Sequence, residues 1–309
     1  MLNIFDTSAI ITAGAVNKYF HLLGPVITTD RGFTQLGIPC GGIRYLFNFI
    51  AKHLQDQNVF VADRIPTIKL EKYPHYKGNR SHSEYSTRHI YLQRRLTEFI
   101  LQDCGIEVLY MDGYEADDIA YSIWYKHHNS HKINLYTADS DWYFMVNEHT
   151  EIQPITSKSK HITKDNFSEQ VSKKCYIPYN AYALYLALFG KTSDNIKPNI
   201  KPSVAEGLLY KTCKKFNPSM LWMKSLVELA VNTLSEETAG QALESLNALY
   251  PIQCSLPPLL LNNVDFSKVV EWGRALGNPN FGEQFQSERI KTIIRTWYED
   301  GLLDNELDR

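Results

Sequence analysis

Cysteine is scarce, long apolar runs are absent and the formal net charge is close to zero in this sequence of 309 residues. The five cysteines form no CxxC pair and leave an odd thiol, which argues against a zinc ribbon or a disulfide framework and favours a reducing cytoplasm. No apolar run reaches the roughly 18 residues that a membrane span needs. The first residues also lack a basic segment and a cleavage site. We therefore expect a cytoplasmic protein with no membrane partner.

The overall composition is that of a folded globular protein. A hydrophobic content of 44% and a charged content of 21% exclude disorder, collagen and coiled coil as the overall class. The length allows one large domain or a domain with a smaller partner. A net charge of -2 does not indicate a nucleic-acid partner, but an average can conceal local clusters. The distribution of charge along the chain is therefore the more informative property.

Four short apolar runs in the first 160 residues each lead into an aspartate, and amphipathic stretches separate the runs. This alternation is typical of βα units and predicts an α/β fold with a mainly parallel sheet flanked by helices. Functional sites gather at the carboxyl ends of strands in open α/β sheets, so the repeated position is informative. The aspartates are Asp6, Asp63, Asp112 and Asp139.

The pattern changes after about residue 175. From there the sequence is mostly helical, with proline clusters at 198–202 and 251–258 and no convincing alternating strand. We therefore predict an α/β half at 1–175 and an α-helical half at 176–309.

Acidic side chains also cluster at two places. Glu115 and Asp118 are three residues apart at the start of a predicted helix, so they share a face, and Asp117 lies between them. Asp139 and Asp141 are two apart just past a predicted strand, where both can reach one ion. The alternative is that these acids complement a helix dipole or lie solvated in a turn. Because Mg²⁺ prefers hard oxygen ligands, the shared pattern favours a magnesium site.

The full set of carboxylates would repel one another too strongly to gather without cations. Two metal ions about 4 Å apart would relieve the repulsion and flank the attacking and leaving oxygens of an in-line phosphoryl displacement. The pattern therefore favours phosphodiester hydrolysis. The carboxylates concerned are Asp6, Asp63, Glu115, Asp117, Asp118, Asp139, Asp141 and Asp194.

A basic segment runs from Arg64 to Arg95, with few balancing acids and with tyrosines and histidines between the cations. Stacking of bases on aromatic rings and neutralisation of phosphates by Lys and Arg are the two elements of single-strand binding. The alternative is a solvated helix face whose tyrosines point inward. The scarcity of acids favours a nucleic-acid surface.

Seven short motifs follow one another along the chain: FDTS (5–8), GIPCGG (37–42), VAD (61–63), YKGNR (76–80), YEADD (114–118), TADSDW (137–142) and GKTSDN (190–195). In this order and spacing the chain resembles the flap endonuclease and 5′-to-3′ exonuclease family, the PIN-like 5′ nucleases, and is most similar to the bacteriophage members. The resemblance covers roughly residues 1–210. The combination of YKGNR, YEADD and TADSDW is highly specific for this family.

The resemblance implies a PIN-like α/β nuclease core with a helical arch at about 66–100. It also implies a helix-three-turn-helix module at about 185–215 in the helical half. The implied activity is that of a divalent-metal-dependent, structure-specific 5′ nuclease in replication or repair, acting on DNA flaps, 5′ ends or RNA–DNA hybrids. Replication proteins are expected as further partners, and a host cytoplasm is the expected location if the source is viral.

The resemblance also implies roles for individual residues. All eight carboxylates would form a site for two divalent cations, Mg²⁺ or Mn²⁺, and Asp6, Asp118 and Asp139 would be catalytic among them. Lys77 and Arg80 would be catalytic arch cations at the scissile phosphate. The residues expected to bind nucleic acid are Tyr76, Lys77, Arg80, Arg88, Lys197, Lys201 and Ser203.

Lys191 departs from the family pattern, because it stands where the family usually has an aspartate. This exchange is expected to weaken the second metal site, unless the lysine turns outward to grip a phosphate. The alternative function is therefore a nuclease-derived DNA-binding protein with attenuated or lost catalysis. Retention of the other acids favours the enzyme over this alternative. A third alternative, a small PIN ribonuclease, would not explain the basic arch or the helical half.

Overall fold

The computed structural model describes residues 1–16, 22–23, 26–29, 32–35, 38–53, 56–78, 84–171, 176–196, 201–215, 236–257 and 264–276. The strands are β1 (Leu2–Asp6), β2 (Leu22–Leu23), β3 (Val26–Thr29), β4 (Gly32–Gln35), β5 (Ile38–Pro39), β6 (Gln57–Val61), β7 (Val108–Leu109), β8 (Ile133–Tyr136) and β9 (Thr150–Gln153). The α-helices are α1 (Thr7–Val16), α2 (Gly41–Lys52), α3 (Thr67–Lys72), α4 (Glu84–Asp103), α5 (Ala116–His127), α6 (Phe167–Val171), α7 (Tyr182–Phe189), α8 (Pro202–Lys215), α9 (Glu236–Leu249) and α10 (Phe266–Ala275). Short 3-10 helices span Ser140–Met145, Tyr179–Ala181 and Thr192–Asp194.

Five strands form a parallel sheet in the order β7, β6, β1, β8, β9, with helices around it. β8 and β9 pair in parallel with Ile133 opposite Thr150 and Tyr136 opposite Gln153. The predicted α/β class with a mainly parallel sheet is therefore confirmed. Strand β9 was not predicted from the sequence, nor were the antiparallel pairs β2 with β5 and β3 with β4.

The chain divides into two compact units that are not continuous in sequence. One unit holds Met1–Ile4, Val61–Ser81 and Tyr110–Leu259, and the other holds Phe5–Phe60, His82–Leu109 and Leu260–Arg309. The expected boundary near residue 175 stays a prediction. None of the described helices is long and apolar enough to span a bilayer.

The unit that contains residues 110–259 has an aromatic core. The ring of Phe144 packs edge-on against those of Tyr182 and Tyr250, at centroid distances of 5.2 and 5.1 Å. Tyr250 also shares a hydrogen bond of 3.1 Å with the hydroxyl of Tyr121 on α5. The indole N–H of Trp124 donates to Thr150 Oγ1 on β9 at 3.0 Å. These contacts hold α5 against the segment that follows α9.

In the other unit, Gly42 allows α2 to approach both α1 and α4 closely. The backbone N–H of Gly42, in the first turn of α2, donates to Gln93 Oε1 on α4 at 2.9 Å. A Cβ at Gly42 would lie 2.7 Å from that same oxygen and closer still to the carbonyl oxygen of Ile11 on α1. At the far end of α4, Asp103 accepts hydrogen bonds from Lys268 and from the Trp272 indole, at 2.9 and 2.8 Å.

Gly42→Ala should destabilise the protein, because the added methyl group has no room between α1 and α4. Overpacking of this kind costs about 1–3 kcal/mol, which corresponds to a fall of roughly 2–8 °C in the thermal midpoint. The matched control is Gly240→Ala on α9, where none of the described atoms lies within 4 Å of the new Cβ. A better helix former at that position should leave the midpoint unchanged or raise it. Equal midpoints for the two variants would contradict the close approach at Gly42.

Candidate active site

The carboxylates lie where the strands end or where the helices that follow them begin. Asp63 lies two residues beyond β6, and its Oδ1 accepts the N–H of Ala116 at 3.0 Å, at the start of α5. Asp139 follows β8 and accepts the N–H of Asp141 at 3.0 Å, which shapes the turn into the 3-10 helix. Asp6 ends β1 in the other unit, where its Oδ1 accepts the N–H of Ala9 at 2.9 Å.

Glu115, Asp117 and Asp118 form the first cluster, at the N-terminus of α5. Each offers a carboxylate oxygen within 4.8 Å of those of the other two, and all three residues are buried. Such a group could hold a metal ion. Acids that only complement a helix dipole would remain solvated, so burial favours the site over that alternative.

Asp118 is engaged through both of its oxygens. Oδ2 accepts the N–H of Glu115 at 3.1 Å, and Oδ1 accepts the N–H of Ile252 at 2.7 Å. Oδ1 also lies 3.0 Å from the ammonium nitrogen of Lys69. Asp118 thereby joins the start of α5 to the segment after α9. Its predicted catalytic role remains a prediction.

Lys69 is a buried cation at the centre of the first cluster, with only 1% of its surface exposed. Its Nζ lies 3.1 Å from Glu115 Oε2 and 3.6 Å from Asp117 Oδ2, in addition to its contact with Asp118. In the sequence, this lysine is marked only by its position in the basic segment. Helix α3 is only six residues long, so periodicity could not have indicated that Lys69 faces inward.

Tyr76 and Lys77 contact the same carboxylate. The Tyr76 hydroxyl donates to Glu115 Oε2 at 2.9 Å, and the Lys77 ammonium forms an ion pair with Glu115 Oε1. Tyr76 is only 2% exposed, so its ring is not presented to a base in this conformation. The stacking role predicted for Tyr76 stays a prediction that would require the ring to become exposed.

Asp139, Asp141, Lys191 and Asp194 form the second cluster. The Lys191 ammonium nitrogen lies 3.0 Å from Asp194 Oδ2 and 3.5 Å from Asp139 Oδ1, and it also pairs with Asp141. Lys191 therefore points into the site rather than outward. Lys191 N–H donates to the Ile196 carbonyl at 2.9 Å, and Ile196 N–H donates back at 3.1 Å.

Charge and burial set the protonation of these groups. Burial would raise the pKa of Glu115, but the ammonium groups of Lys69 and Lys77 outweigh it and hold the pKa at about 2. Burial raises the pKa of Asp117 well above its usual value, against the effect of Lys69. Burial and then the charge of Asp139 raise the pKa of Asp141 to about 7, against the effect of Lys191. Glu115 is therefore held as an anion, whereas burial disfavours the charged forms of Asp117 in the first cluster and Asp141 in the second.

The structure describes little of the remaining residues that were predicted to bind nucleic acid. Arg80 and Lys197 fall outside the described residues. Arg88 is on α4 and Ser203 is on α8, and nothing is described of their side chains. Lys201 is exposed just before α8, and its carbonyl accepts the N–H groups of Val204 and Ala205, both at 3.0 Å.

Comparison with known proteins gives consistent results. The family model described as 5′-3′ exonuclease, N-terminal resolvase-like domain, matches residues 3–172. A 5′-3′ exonuclease of Aquifex aeolicus is 31% identical over 229 residues, which are 72% of this chain and 73% of that protein. DNA polymerase I of Caldicellulosiruptor bescii is 26% identical over 281 residues, which cover 88% of this chain but only 31% of the polymerase.

A solved structure has a similar fold. A bacteriophage T5 protein co-crystallised with metal ions aligns over 96% of this chain and 98% of its own, with a TM-score of 0.58 and 14% identity. In a second structure the T5 protein is described as a flap endonuclease in complex with DNA and metal ions, with a TM-score of 0.55. At this identity the likeness concerns the fold alone, and it confirms the predicted PIN-like architecture.

Lys69→Met should destabilise the protein strongly, because it leaves buried carboxylates without their cation. Removal of one partner from a buried ion pair costs about 3–5 kcal/mol. The loss should shrink as the pH falls toward 4, where the carboxylates take up protons. Lys132→Met is the control, because Lys132 pairs with Glu151 at 3.2 Å but is largely exposed, so its loss should cost less than about 1 kcal/mol. Denaturant unfolding at several pH values measures both, and a small, pH-independent effect for Lys69→Met would contradict its assigned role.

Proposed function

Because the chain belongs to the 5′-3′ exonuclease family, we propose that it is a divalent-metal-dependent 5′ nuclease that hydrolyses phosphodiesters at the 5′ ends and flaps of DNA. The observation that carries the proposal is the buried cluster of Glu115, Asp117 and Asp118, which lies within the residues that the family model matches. Lys69 and Lys77 pair with these three carboxylates but supply only two positive charges, so a divalent cation would compensate the remaining negative charge.

The first cluster fits a hard divalent cation such as Mg²⁺, because its donors are all carboxylate oxygens. We assign the ion to Glu115 and Asp117, with Asp63, which accepts the N–H of Ala116, as a neighbouring acid. The metal role expected for Asp139 rests on the family resemblance. Asp118 acts as a positioning residue, since its two oxygens hold Glu115 and Ile252 in place. A bound ion would supply activated water and neutralise charge on the phosphate. The metal role expected for Asp6 rests on the family resemblance.

Lys77 is placed to exchange partners when substrate binds. It is 16% exposed and is paired with Glu115, so a phosphate that approaches from solvent can take over its ammonium group. Such a cation stabilises the charge that develops on the phosphate during cleavage. Release from Lys77 would leave Glu115 Oε1 free to hold a divalent cation.

The substrate class follows from the family and from the distribution of charge. The exposed Lys72 on α3 and the exposed Lys201 suit a phosphate backbone. We propose DNA with a free 5′ end or flap as substrate. We also propose that the protein acts on RNA–DNA hybrids and takes part in replication. The T5 flap endonuclease that shares this fold was solved with DNA, and this supports the choice.

One observation favours the alternative of a DNA-binding protein without catalysis. The Lys191 ammonium contacts all three acids of the second cluster. Incubation of the purified protein with a labelled flap, a nicked duplex and an RNA–DNA hybrid, with Mg²⁺ or with a chelator, separates the two functions. Binding of all three substrates without magnesium-dependent cleavage of any would establish the alternative.

Asp139→Asn should reduce cleavage at least tenfold, which corresponds to about 1.4 kcal/mol of barrier, while substrate binding persists or improves slightly. The physical reason is that Asp139 would help to hold the metal ion, as the family resemblance implies, whereas exposed cations such as Lys201 would hold the DNA. Glu148→Gln is the control, since Glu148 is an exposed acid paired with Lys164. Flap cleavage and gel-shift binding are measured on the same preparations. A variant that retains more than a tenth of the wild-type rate would remove Asp139 from the metal site.

Lys77→Ala should lower the single-turnover rate at saturating enzyme more than it lowers affinity. One phosphate contact among many contributes modestly to binding, but a cation at the scissile phosphate stabilises developing charge. Lys201→Ala is the comparison, because it should weaken binding and leave the saturated rate unchanged. If Lys77→Ala cleaves at the normal rate once saturated, Lys77 serves binding only.

A further inference from the structure

We propose that the ammonium group of Lys191 takes the place of a second divalent cation, so that the wild-type chain binds one ion fewer than its carboxylates would otherwise hold. The proposal deepens the proposed function and rests on it for the meaning of the two clusters. It concerns a departure of this chain from the two-cation site that its family resemblance implies.

The geometry around Lys191 leaves no place for a second ion. One ammonium nitrogen contacts Asp139 and Asp194, at 3.5 and 3.0 Å, and pairs with Asp141 as well. Mg²⁺ binds carboxylate oxygens at about 2.0–2.1 Å, so an ion on these same oxygens would lie against the lysine nitrogen. Two positive groups cannot share that position, and the second cation does not fit while Lys191 stays there.

The backbone directs Lys191 into the cluster. Gly190 has a φ of +67°, a conformation that favours glycine. Reciprocal hydrogen bonds between Lys191 and Ile196 then close the loop. Asn195 takes a left-handed φ of +62°, which asparagine tolerates, and its side chain donates to the His75 carbonyl at 3.0 Å. Lys191 itself is only 14% exposed. Its direction is therefore set by an ordered loop.

Lys69 does not exclude an ion from the first cluster in the same way. It is enclosed by protein, and its partner Asp118 is completely buried, so it contacts the cluster from the protein side. Glu115 and Asp117, by contrast, keep 9% and 7% of their side chains exposed. An ion that enters from solvent would reach these two carboxylates and leave Lys69 paired with Asp118.

The experiment counts bound Mn²⁺ per full-length chain, by equilibrium dialysis and by electron paramagnetic resonance of the free ion. Lys191→Asp should bind one more Mn²⁺ than the wild type. Lys191→Met, which keeps the length of the side chain without its charge, should also gain an ion, with weaker affinity. Lys158→Asp makes the same change of charge at an exposed position outside both clusters, and it should bind the wild-type number.

Thermal midpoints provide a readout that does not depend on activity. Without divalent ions Lys191→Met should melt below the wild type, because Asp141 and Asp194 lose their cation. Added Mn²⁺ should raise its midpoint by more than it raises that of the wild type.

The outcomes separate this proposal from the proposed function. A wild-type chain that binds as many ions as Lys191→Asp would overturn the role of Lys191, even if it cleaves DNA. A wild-type chain that binds no ion, beside a Lys191→Asp variant that binds one, would support the role of Lys191 and contradict the metal-dependent nuclease. Equal responses of wild type and Lys191→Met to Mn²⁺ in the melting experiment would also overturn the proposal.

Discussion

The burial of like charges is the constraint on which the rest of this structure depends. A carboxylate removed from water must find a cation or a set of hydrogen-bond donors, or else take up a proton. Here the cations come from three separate segments: Lys69 from α3, Lys77 from the turn that follows it, and Lys191 from the loop after α7. Lys69 and Lys77 are thereby held around the first cluster of acids, and Lys191 around the second. The same arrangement compensates the buried charge and gathers three carboxylates that could hold a metal ion.

Two of these segments are also joined directly. The backbone N–H of Lys77 donates to the Asp194 carbonyl at 3.0 Å, and the Asn195 side chain donates to the His75 carbonyl at 3.0 Å. Lys77 and Asn195 both have a positive φ, which is uncommon for residues other than glycine and is maintained only when surrounding contacts require it. The turn with Lys77 and the loop with Lys191 therefore form one hydrogen-bonded structure. A phosphate that draws Lys77 away from Glu115 would act on a turn that also holds the Lys191 loop.

The positions of Asp63 and Asp139 can be predicted from the sequence, because they depend on where the preceding strands end. The apolar runs that lead to Asp63 and Asp139 correspond to β6 and β8, and burial of the Glu115 cluster agrees with a site. The sequence predicts the direction of the lysines poorly, because composition shows that a cation is present but not which way it points. Lys69 and Tyr76 lie in a basic, aromatic segment and yet point inward to Glu115. The inward direction of Lys191 depends on the Gly190 and Asn195 backbone, which a pattern of residue types does not specify.

The three lysines differ in the exposed fraction of their side chains, and this difference determines what each can do. Lys69, at 1%, cannot leave its carboxylates without exposing buried charge, so it is a permanent part of the fold. Lys77 is 16% exposed and can exchange one anionic partner for another, because a phosphate would replace the negative charge of Glu115. Lys191 is nearly as exposed as Lys77, but it contacts three carboxylates and is held by its loop. A tethered ammonium can neutralise negative charge as a metal ion does, but it has no open coordination position and does not lower the pKa of a bound water.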